Sequence, residues 1–355
     1  MSPRRRKRLD PSVFNIPADA IRAGEYTDPA SLGARGLLQK LEQPPVVILQ
    51  VAAEHPGVVS GVDEALAVLK LCAEEWTDLT VHALFDGDRV EPWETVLTIE
   101  GPYPAFAHLE KLVQGVLARR TRVSTGASAL VEAAGTKPVL LFPGRHDHLL
   151  MQQGDLIAAQ SGGVLLLWSD RPPALRAVVP ALALVPHSFI AAMGGDTTEA
   201  ATAFTEAARP KLSLVVPVDF QNDAVGTSVQ VAQALEGRLW GVWLGTPDHL
   251  VDKSIIPVMG TFPPTGVPPE LAWNVRNALD AEGYGDVKIL LAGGLGAERI
   301  RWLEEEGVPV DAYGVGSTTF VARSAFAADI VKVNGKALAR AGRALKENSR
   351  MERVK

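Results

Sequence analysis

Several short apolar runs in this chain end in residues that can do chemistry. Phe142 leads into Pro143-Gly144-Arg145-His146-Asp147-His148, Val185 into Pro186-His187, and Val216 into Pro217 and Asp219. Ala292 is followed by Gly293-Gly294-Leu295, and Tyr313 by Gly314-Val315-Gly316-Ser317-Thr318. Glycines at a strand end that feeds a helix expose backbone N–H groups, which suit a phosphate. The same glycines also serve tight strand-to-helix turns, and residue type alone does not separate the two uses. Arg145 and His148 offer anion binding or acid–base chemistry. His146 and His148 could begin a metal site, but no third ligand follows at a recognisable spacing, so zinc is not expected. His187, next to a proline in apolar surroundings, reads by its type alone as a satisfied core histidine.

Such groups need a frame to hold them. From about residue 137 the chain alternates short apolar runs with helical patterns. The runs are Pro138 to Phe142, Val164 to Trp168, Ala181 to Val185, Leu212 to Val216, Leu239 to Leu244, Val287 to Ala292, Ala312 to Val315 and Ile330 to Val333. About eight parallel strands of this kind make an α/β barrel, with the active site at their C-terminal ends. Helices are expected at 197–208, 229–235, 269–281 and 297–306, while the pattern between Ser169 and Leu182 is weak and predicts an irregular barrel there. The proline-rich stretch 256–269 predicts a structured loop at one barrel end.

Before residue 121 the pattern differs. Val46 to Val51 reads as a strand, Val62 to Cys72 as an amphipathic helix, and Leu79 to Phe85 and Thr95 to Glu100 as antiparallel strands around the turn Asp86-Gly87-Asp88. Phe106 to Arg119 is amphipathic, and Ser124-Thr125-Gly126-Ala127-Ser128 predicts the capped start of a further helix. The expected fold class is therefore α/β: an N-terminal α/β sandwich domain over 12–120, joined by part of the C-terminal tail, and an irregular (β/α) barrel over 121–335 that binds the phosphorylated ligand.

A net charge of -6 argues against nucleic acid as the partner, which would need a clustered basic surface. A local positive pocket for a small anion remains compatible with it. Cys72 is the one cysteine, so no intrachain disulfide forms, and a reducing cytoplasmic location is expected. The basic run Arg4 to Arg8 is followed by Asp10, Pro11 and Asn15 rather than an apolar stretch, and reads as a frayed tail. No apolar stretch approaches the roughly 20 residues of a membrane span, so no membrane association is expected.

The order of the motifs resembles the nicotinate phosphoribosyltransferase family, nicotinate or quinolinate phosphoribosyltransferase-like, with the type II phosphoribosyltransferase fold. Thr98-Ile99-Glu100-Gly101, then Glu110, Gly115 and Ser124 to Ser128, resemble the entry to its barrel. Phe142 to His148 resembles its Arg-Arg-x-His segment, Val185-Pro186-His187 its strand-end histidine, and Val218-Asp219 its strand-end aspartate. Ala292 to Leu295 and Gly314 to Ser317 resemble its phosphate-binding turns, Asp329 to Gly335 its closing strand, and Phe14-Asn15 with Gly24 to Asp28 its opening. The basic tail around Arg340, Gly342, Arg343 and Lys346 resembles a phosphate-contacting tail, although a solvated helix end reads equally well there.

The resemblance implies attack by the nitrogen of nicotinate on C1 of phosphoribosyl pyrophosphate, in NAD biosynthesis or salvage, with magnesium required and the chain working as a homodimer. On it, Gly293, Gly294, Gly314, Gly316 and Ser317 bind phosphate, and Arg145 and His148 meet pyrophosphate or base. Asp219 holds ribose or stabilises positive charge, and His187 takes the position that members phosphorylate with ATP. Thr125, His146 and Trp243 fall to the base.

Some positions depart from the family pattern. His146 stands for a second arginine, Trp243-Leu244-Gly245 for an Arg-x-Asp strand end, Ala30 for an aromatic residue, and Ala183-Leu184 for a Gly-Thr pair. Losing a stacking ring weakens base binding by about 1 to 3 kcal/mol. Alternatives are thus transfer to another base, with Trp243 as a replacement stacking face, or a catalytically impaired paralogue that binds a ligand.

Overall fold

The computed structural model describes residues 7–142, 144–166, 182–207, 213–260 and 262–355. The chain divides into two compact units, one of Met1–Ser128, His148–Gly163 and Thr319–Lys355, the other of Ala129–Asp147 and Val164–Thr318.

The first unit is built on a sheet in the order Lys336–Ala337, Phe326–Val333, Val46–Ala53, Thr95–Pro102, Thr80–Ala83, Glu352–Arg353. All of its pairings are antiparallel. The helix Val62–Cys72 has apolar residues at 62, 65, 66, 69 and 72, the spacing of one helical face. That face packs with Val47, Leu49 and Val51 of the sheet and with Leu109, Val113 and Leu117. Each fully buried leucine or valine contributes roughly 1.5–3 kcal/mol. Gly61 caps this helix at φ +85, and a Cβ there would stand 2.8 Å from the Arg120 side chain, so only glycine serves.

Two expectations for this part of the chain are corrected. The run Ile330 to Val333, counted above as an eighth barrel strand, lies in Phe326–Val333, which pairs antiparallel with Val46–Ala53. The residues from 319 onward, which the sequence reading gave to the barrel up to 335, therefore belong to the first unit. Nor does a new helix begin at Ser124: one helix of 25 residues runs from Glu110 to Ala134. Its small polar residues dock backbone rather than cap. Thr125 Oγ1 accepts from the Val58 N–H at 3.1 Å, and Thr121 Oγ1 accepts from Ser60 N–H and donates to Ser60 O. A Cβ at Gly126 would fall 2.2 Å from the Thr319 carbonyl oxygen, a contact only glycine permits.

The second unit holds seven parallel strands in the order Leu165–Leu166, Val139–Leu141, Ala312–Val315, Lys288–Ala292, Leu239–Leu244, Ser213–Pro217, Leu182–Leu184. This is a barrel-like sheet left open between its first and last strands among the described residues. The segment where an irregularity was expected, 169–181, lies outside them. Leu140, Leu182, Val215, Leu290 and Ala312 fill its interior, with Phe142 and Trp243 packed on them. Helices Thr197–Ala207, Ala224–Leu235, Pro269–Ala281 and Ala297–Glu305 follow successive strands. The second begins five residues before its apolar periodicity does, because Asp223 caps it by accepting from the Gly226 N–H at 3.1 Å. In the proline-rich stretch, Pro269 opens a helix, where its missing N–H costs nothing. Among the described residues no helix is long and apolar enough to cross a membrane.

Candidate functional site

The C-terminal ends of the parallel strands surround a cavity of about 730 Å³, within the size range of small-molecule sites. Among the described residues six of the strands contribute to it, at or just past their C-terminal ends. Val139–Leu141 leads to Phe142, Gly144, Arg145 and His146; Leu182–Leu184 to His187; Ser213–Pro217 to Asp219. Leu239–Leu244 supplies Trp243, Gly245, Thr246, Pro247 and Asp248. Lys288–Ala292 and Ala312–Val315 supply the turns with Gly293, Gly294, Gly314, Gly316 and Ser317.

A short polar contact in the cavity joins two of these loops: His187 Nε2 lies 2.6 Å from Asp219 Oδ1. Asp219 is largely buried and His187 half exposed. The hydrogen bond to Asp219 raises the His187 pKa above its ordinary value, against burial and the Arg145 charge. His187 is thus a charged or readily charged group held by a carboxylate, not the satisfied core histidine its sequence neighbours suggest. With Nε2 engaged, Nδ1 is the nitrogen left to meet a ligand.

His146 behaves oppositely. Burial, with help from Arg145, lowers its pKa and keeps the ring neutral. A Cβ at Gly316 would sit 2.2 Å from its Nε2, so the glycine makes room for this imidazole at the ends of the neighbouring strands Val139–Leu141 and Ala312–Val315.

The turn after Lys288–Ala292 has Gly293 at φ +107 and Gly294 at φ +59, conformations that disfavour side chains. Gly296 then caps the helix Ala297–Glu305, whose first-turn N–H groups have no intrahelical acceptor. The second glycine turn differs from expectation, since Ser317–Phe320 is a single 3-10 turn rather than a helix start.

Several of the residues singled out above belong to the first unit rather than to the unit that holds this cavity. His148 begins the first unit's segment His148–Gly163 and caps the helix Leu149–Ser161, its Nδ1 accepting from the Leu150 N–H at 3.3 Å. Thr125 is engaged by Val58 as described. Ala30 is an exposed residue of the first unit, in the first turn of the helix Pro29–Leu38. The tail guanidiniums of Arg340 and Arg343 lie 3.3 and 2.9 Å from the Asp329 carboxylate, also in the first unit. Thr246 and Asp248 were missed, although they follow an apolar run and satisfy the strand-end rule that found the others.

The structure is similar to that of nicotinate-nucleotide pyrophosphorylase from Pyrococcus furiosus, with a TM-score of 0.76 and 30% identity over 93% of this chain and 81% of that one. The chain belongs to the nicotinate and quinolinate phosphoribosyltransferase family. Residues 36–121 match the family model for the quinolinate phosphoribosyl transferase N-terminal domain. A nicotinate phosphoribosyltransferase of Mycobacterium tuberculosis is 27% identical over 253 residues, 69% of this chain and 51% of that protein, so the chain spans about half the length of the curated relatives it matches. Human nicotinic acid phosphoribosyltransferase shares the fold, with a TM-score of 0.61 at 15% identity over 88% of this chain and 75% of that one. The phosphoribosyltransferase fold thus accounts for an antiparallel sheet in one unit, an open parallel barrel in the other, and a cavity ringed by that barrel's strand-end loops.

Proposed function

We propose that the chain transfers the phosphoribosyl group of phosphoribosyl pyrophosphate to nicotinate, forming nicotinate mononucleotide in NAD biosynthesis. The observation that carries this reading is the convergence of the His187–Asp219 pair and two glycine turns on one cavity at the barrel's strand ends. In the reaction the pyridine nitrogen's lone pair forms the bond to C1, while the C1–oxygen bond breaks and its electrons leave with pyrophosphate. The site must hold the 5-phosphate, neutralise the leaving group and stabilise positive charge on the sugar.

The turns at Gly293-Gly294 and Gly314 to Ser317 take the 5-phosphate, because backbone N–H groups there approach a ligand with no intervening side chain. Arg145 takes the pyrophosphate. Asp219, whose Oδ2 accepts no hydrogen bond among the described residues, faces the ribose and the charge developing at C1. Asp219 and Asp248 suit a magnesium ion that retains water and pyrophosphate oxygens as most of its ligands. Magnesium, when bound, would neutralise charge on the leaving group. ATP coupling, on this reading, moves the γ-phosphoryl group to His187 Nδ1, the bond to the bridging oxygen breaking and ADP leaving, with Asp219 fixing the ring through Nε2. A homodimer belongs to the same proposal.

The test is pyrophosphate release from phosphoribosyl pyrophosphate and magnesium on addition of nicotinate, with the mononucleotide identified by mass. Release that depends on nicotinate and is lost in Asp219→Ala is the expected result. No release with any pyridine base would overturn the reading. Incubation with ATP should add an acid-labile phosphoryl group to the wild type and none to His187→Gln.

A further inference from the structure

Resting on the phosphoribosyl-transfer reading, we infer that Gln221 is a positioning residue: it joins the loop that carries Asp219 to the segment that leads away from His187, and so sets the contact between those two side chains. His187 and Asp219 stand past the ends of neighbouring strands, Leu182–Leu184 and Ser213–Pro217. The pairing of those strands runs out with the Val185 N–H donating to the Val215 carbonyl at 3.0 Å. Beyond that point, the two segments are hydrogen-bonded to each other, among the described residues, through side chains. One such bond is His187–Asp219 itself, and Gln221 makes the other two.

The Gln221 amide can lie only one way round. A carbonyl only accepts, so the Gly195 carbonyl, 2.6 Å away, takes the Nε2 amide, and Oε1 is left to accept from the Thr197 hydroxyl at 2.8 Å. Both anchors are held in turn. The Gly195 N–H donates at 2.9 Å to the Ile190 carbonyl, within the helix His187–Ala192 that His187 opens. Thr197 is 1% exposed and opens the helix Thr197–Ala207. On the opposite side the Asn222 N–H donates to the Asp219 carbonyl at 3.0 Å, so Gln221 sits inside the turn that Asp219 begins. Gly194 and Gly195, at φ +96 and +91, bring the chain round to meet that turn, and a Cβ at Gly195 would stand 3.3 Å from the Phe220 ring.

Gln221 is itself exposed, so its two bonds add little to the stability of the fold. They act on geometry. Hydrogen bonds weaken steeply as donor and acceptor lose alignment, and the His187–Asp219 contact at 2.6 Å joins groups on two separate loops. A displacement of about 1 Å at a reacting group can cost about a hundredfold in rate, so a clamp one residue away from Asp219 bears on the chemistry without touching a substrate.

The test compares wild type, Gln221→Met and Thr197→Val, with Gln221→Met also made in an Asp219→Ala background. Three quantities are read: pyrophosphate release from phosphoribosyl pyrophosphate, magnesium and nicotinate; the exchange with water of the His187 Nε2 proton by NMR; and the denaturation midpoint. Methionine fills the space of glutamine and neither donates nor accepts through an amide. Gln221→Met should lower kcat about tenfold with each KM within about twofold of wild type, and should speed exchange of the Nε2 proton about fivefold or more, at an unchanged midpoint. Thr197→Val should act in the same direction and less, since the bond to Gly195 remains. With Asp219→Ala there is no contact left to align, so Gln221→Met should add little to either effect. Unchanged kcat and proton exchange in Gln221→Met overturn the inference, whether or not the midpoint falls, and so does an effect of full size in the Asp219→Ala background. If the wild type releases no pyrophosphate with any pyridine base, the transfer reading is removed, and the response of the Nε2 proton to Gln221→Met still decides the inference.

Discussion

Two clusters of cation and carboxylate, one in each unit, put similar chemistry to opposite uses. In the first unit Arg120, 8% exposed, lies between Glu64, at 2.6 and 3.0 Å, and Asp155, at 2.7 Å, while Arg119 closes on the other Asp155 oxygen at 2.7 Å. It also donates to the Met151 carbonyl at 3.3 Å. Its pKa is raised by those carboxylates in spite of burial. A Cβ at Gly154 would fall 2.0 Å from the guanidinium, so the neighbouring helix is shaped around it. In the second unit the Asp219 carboxylate has one partner among the described residues, His187, and that partner is half exposed. Where each charged group has several buried partners, charge serves as scaffold. Where one oxygen and one ring nitrogen are left over, it is available to a ligand.

The sharpest way to break this comparison is to remove the central charge of each cluster. Arg120→Met should lower stability by about 3–5 kcal/mol in chemical denaturation, because it removes the guanidinium that Glu64 pairs with and leaves the buried Asp155 to Arg119. Asp219→Asn should leave stability within about 1 kcal/mol of wild type yet reduce phosphoribosyl transfer by about a hundredfold or more. In the same variant the His187 pKa, followed by NMR, should fall toward the ordinary histidine value. If Asp219→Asn unfolds the protein as Arg120→Met does, the distinction between the two clusters fails.

A smaller effect sharpens the comparison at the glycine turns. Gly293→Ala, at φ +107, should cost about 1 kcal/mol in stability through backbone strain and weaken binding of phosphoribosyl pyrophosphate more than that of the base. Comparable loss of both ligands would argue that the turn shapes the whole cavity rather than a phosphate seat.

The smallest effect concerns pH. The His187 pKa is raised in the folded state, so its contribution to stability is fully present below the unfolded value of about 6.5 and is lost as pH rises through the folded one. Denaturation of wild type and His187→Gln should therefore differ most at acid pH and converge above the folded pKa. A difference that grows with rising pH would show that Asp219 does not hold the protonated ring.

Much of the second unit was legible in the chain because parallel strands buried on both faces read as short apolar runs, and the residues just past them line the cavity by geometry. Seven of the eight runs proved to be its strands, at least in part. Ile330 to Val333 misled because an apolar run does not say which sheet it joins: its partner, Val46–Ala53, lies far away in sequence, and their pairing is what assigns the C-terminal segment to the first unit. Asp223 carried a local cap signal that apolar periodicity passed over. The motif Ser124 to Ser128 looked like a cap for the same kind of reason. Small polar residues suit a helix start and equally suit a helix face that docks a neighbouring strand, and the neighbour decides.

By itself the sequence determined the succession of strands and helices and the set of strand-end loops, since periodicity and glycine placement act over a few residues. Only the tertiary structure decided that His187 would share a proton with Asp219, that His148 would cap a helix, and that Gly245 would make room for the Trp243 indole. The first of those outcomes depends on the distance between atoms on different strand-end loops, which the packing of the sheet sets, and the other two on side-chain directions at residues two apart in the chain, which periodicity does not specify.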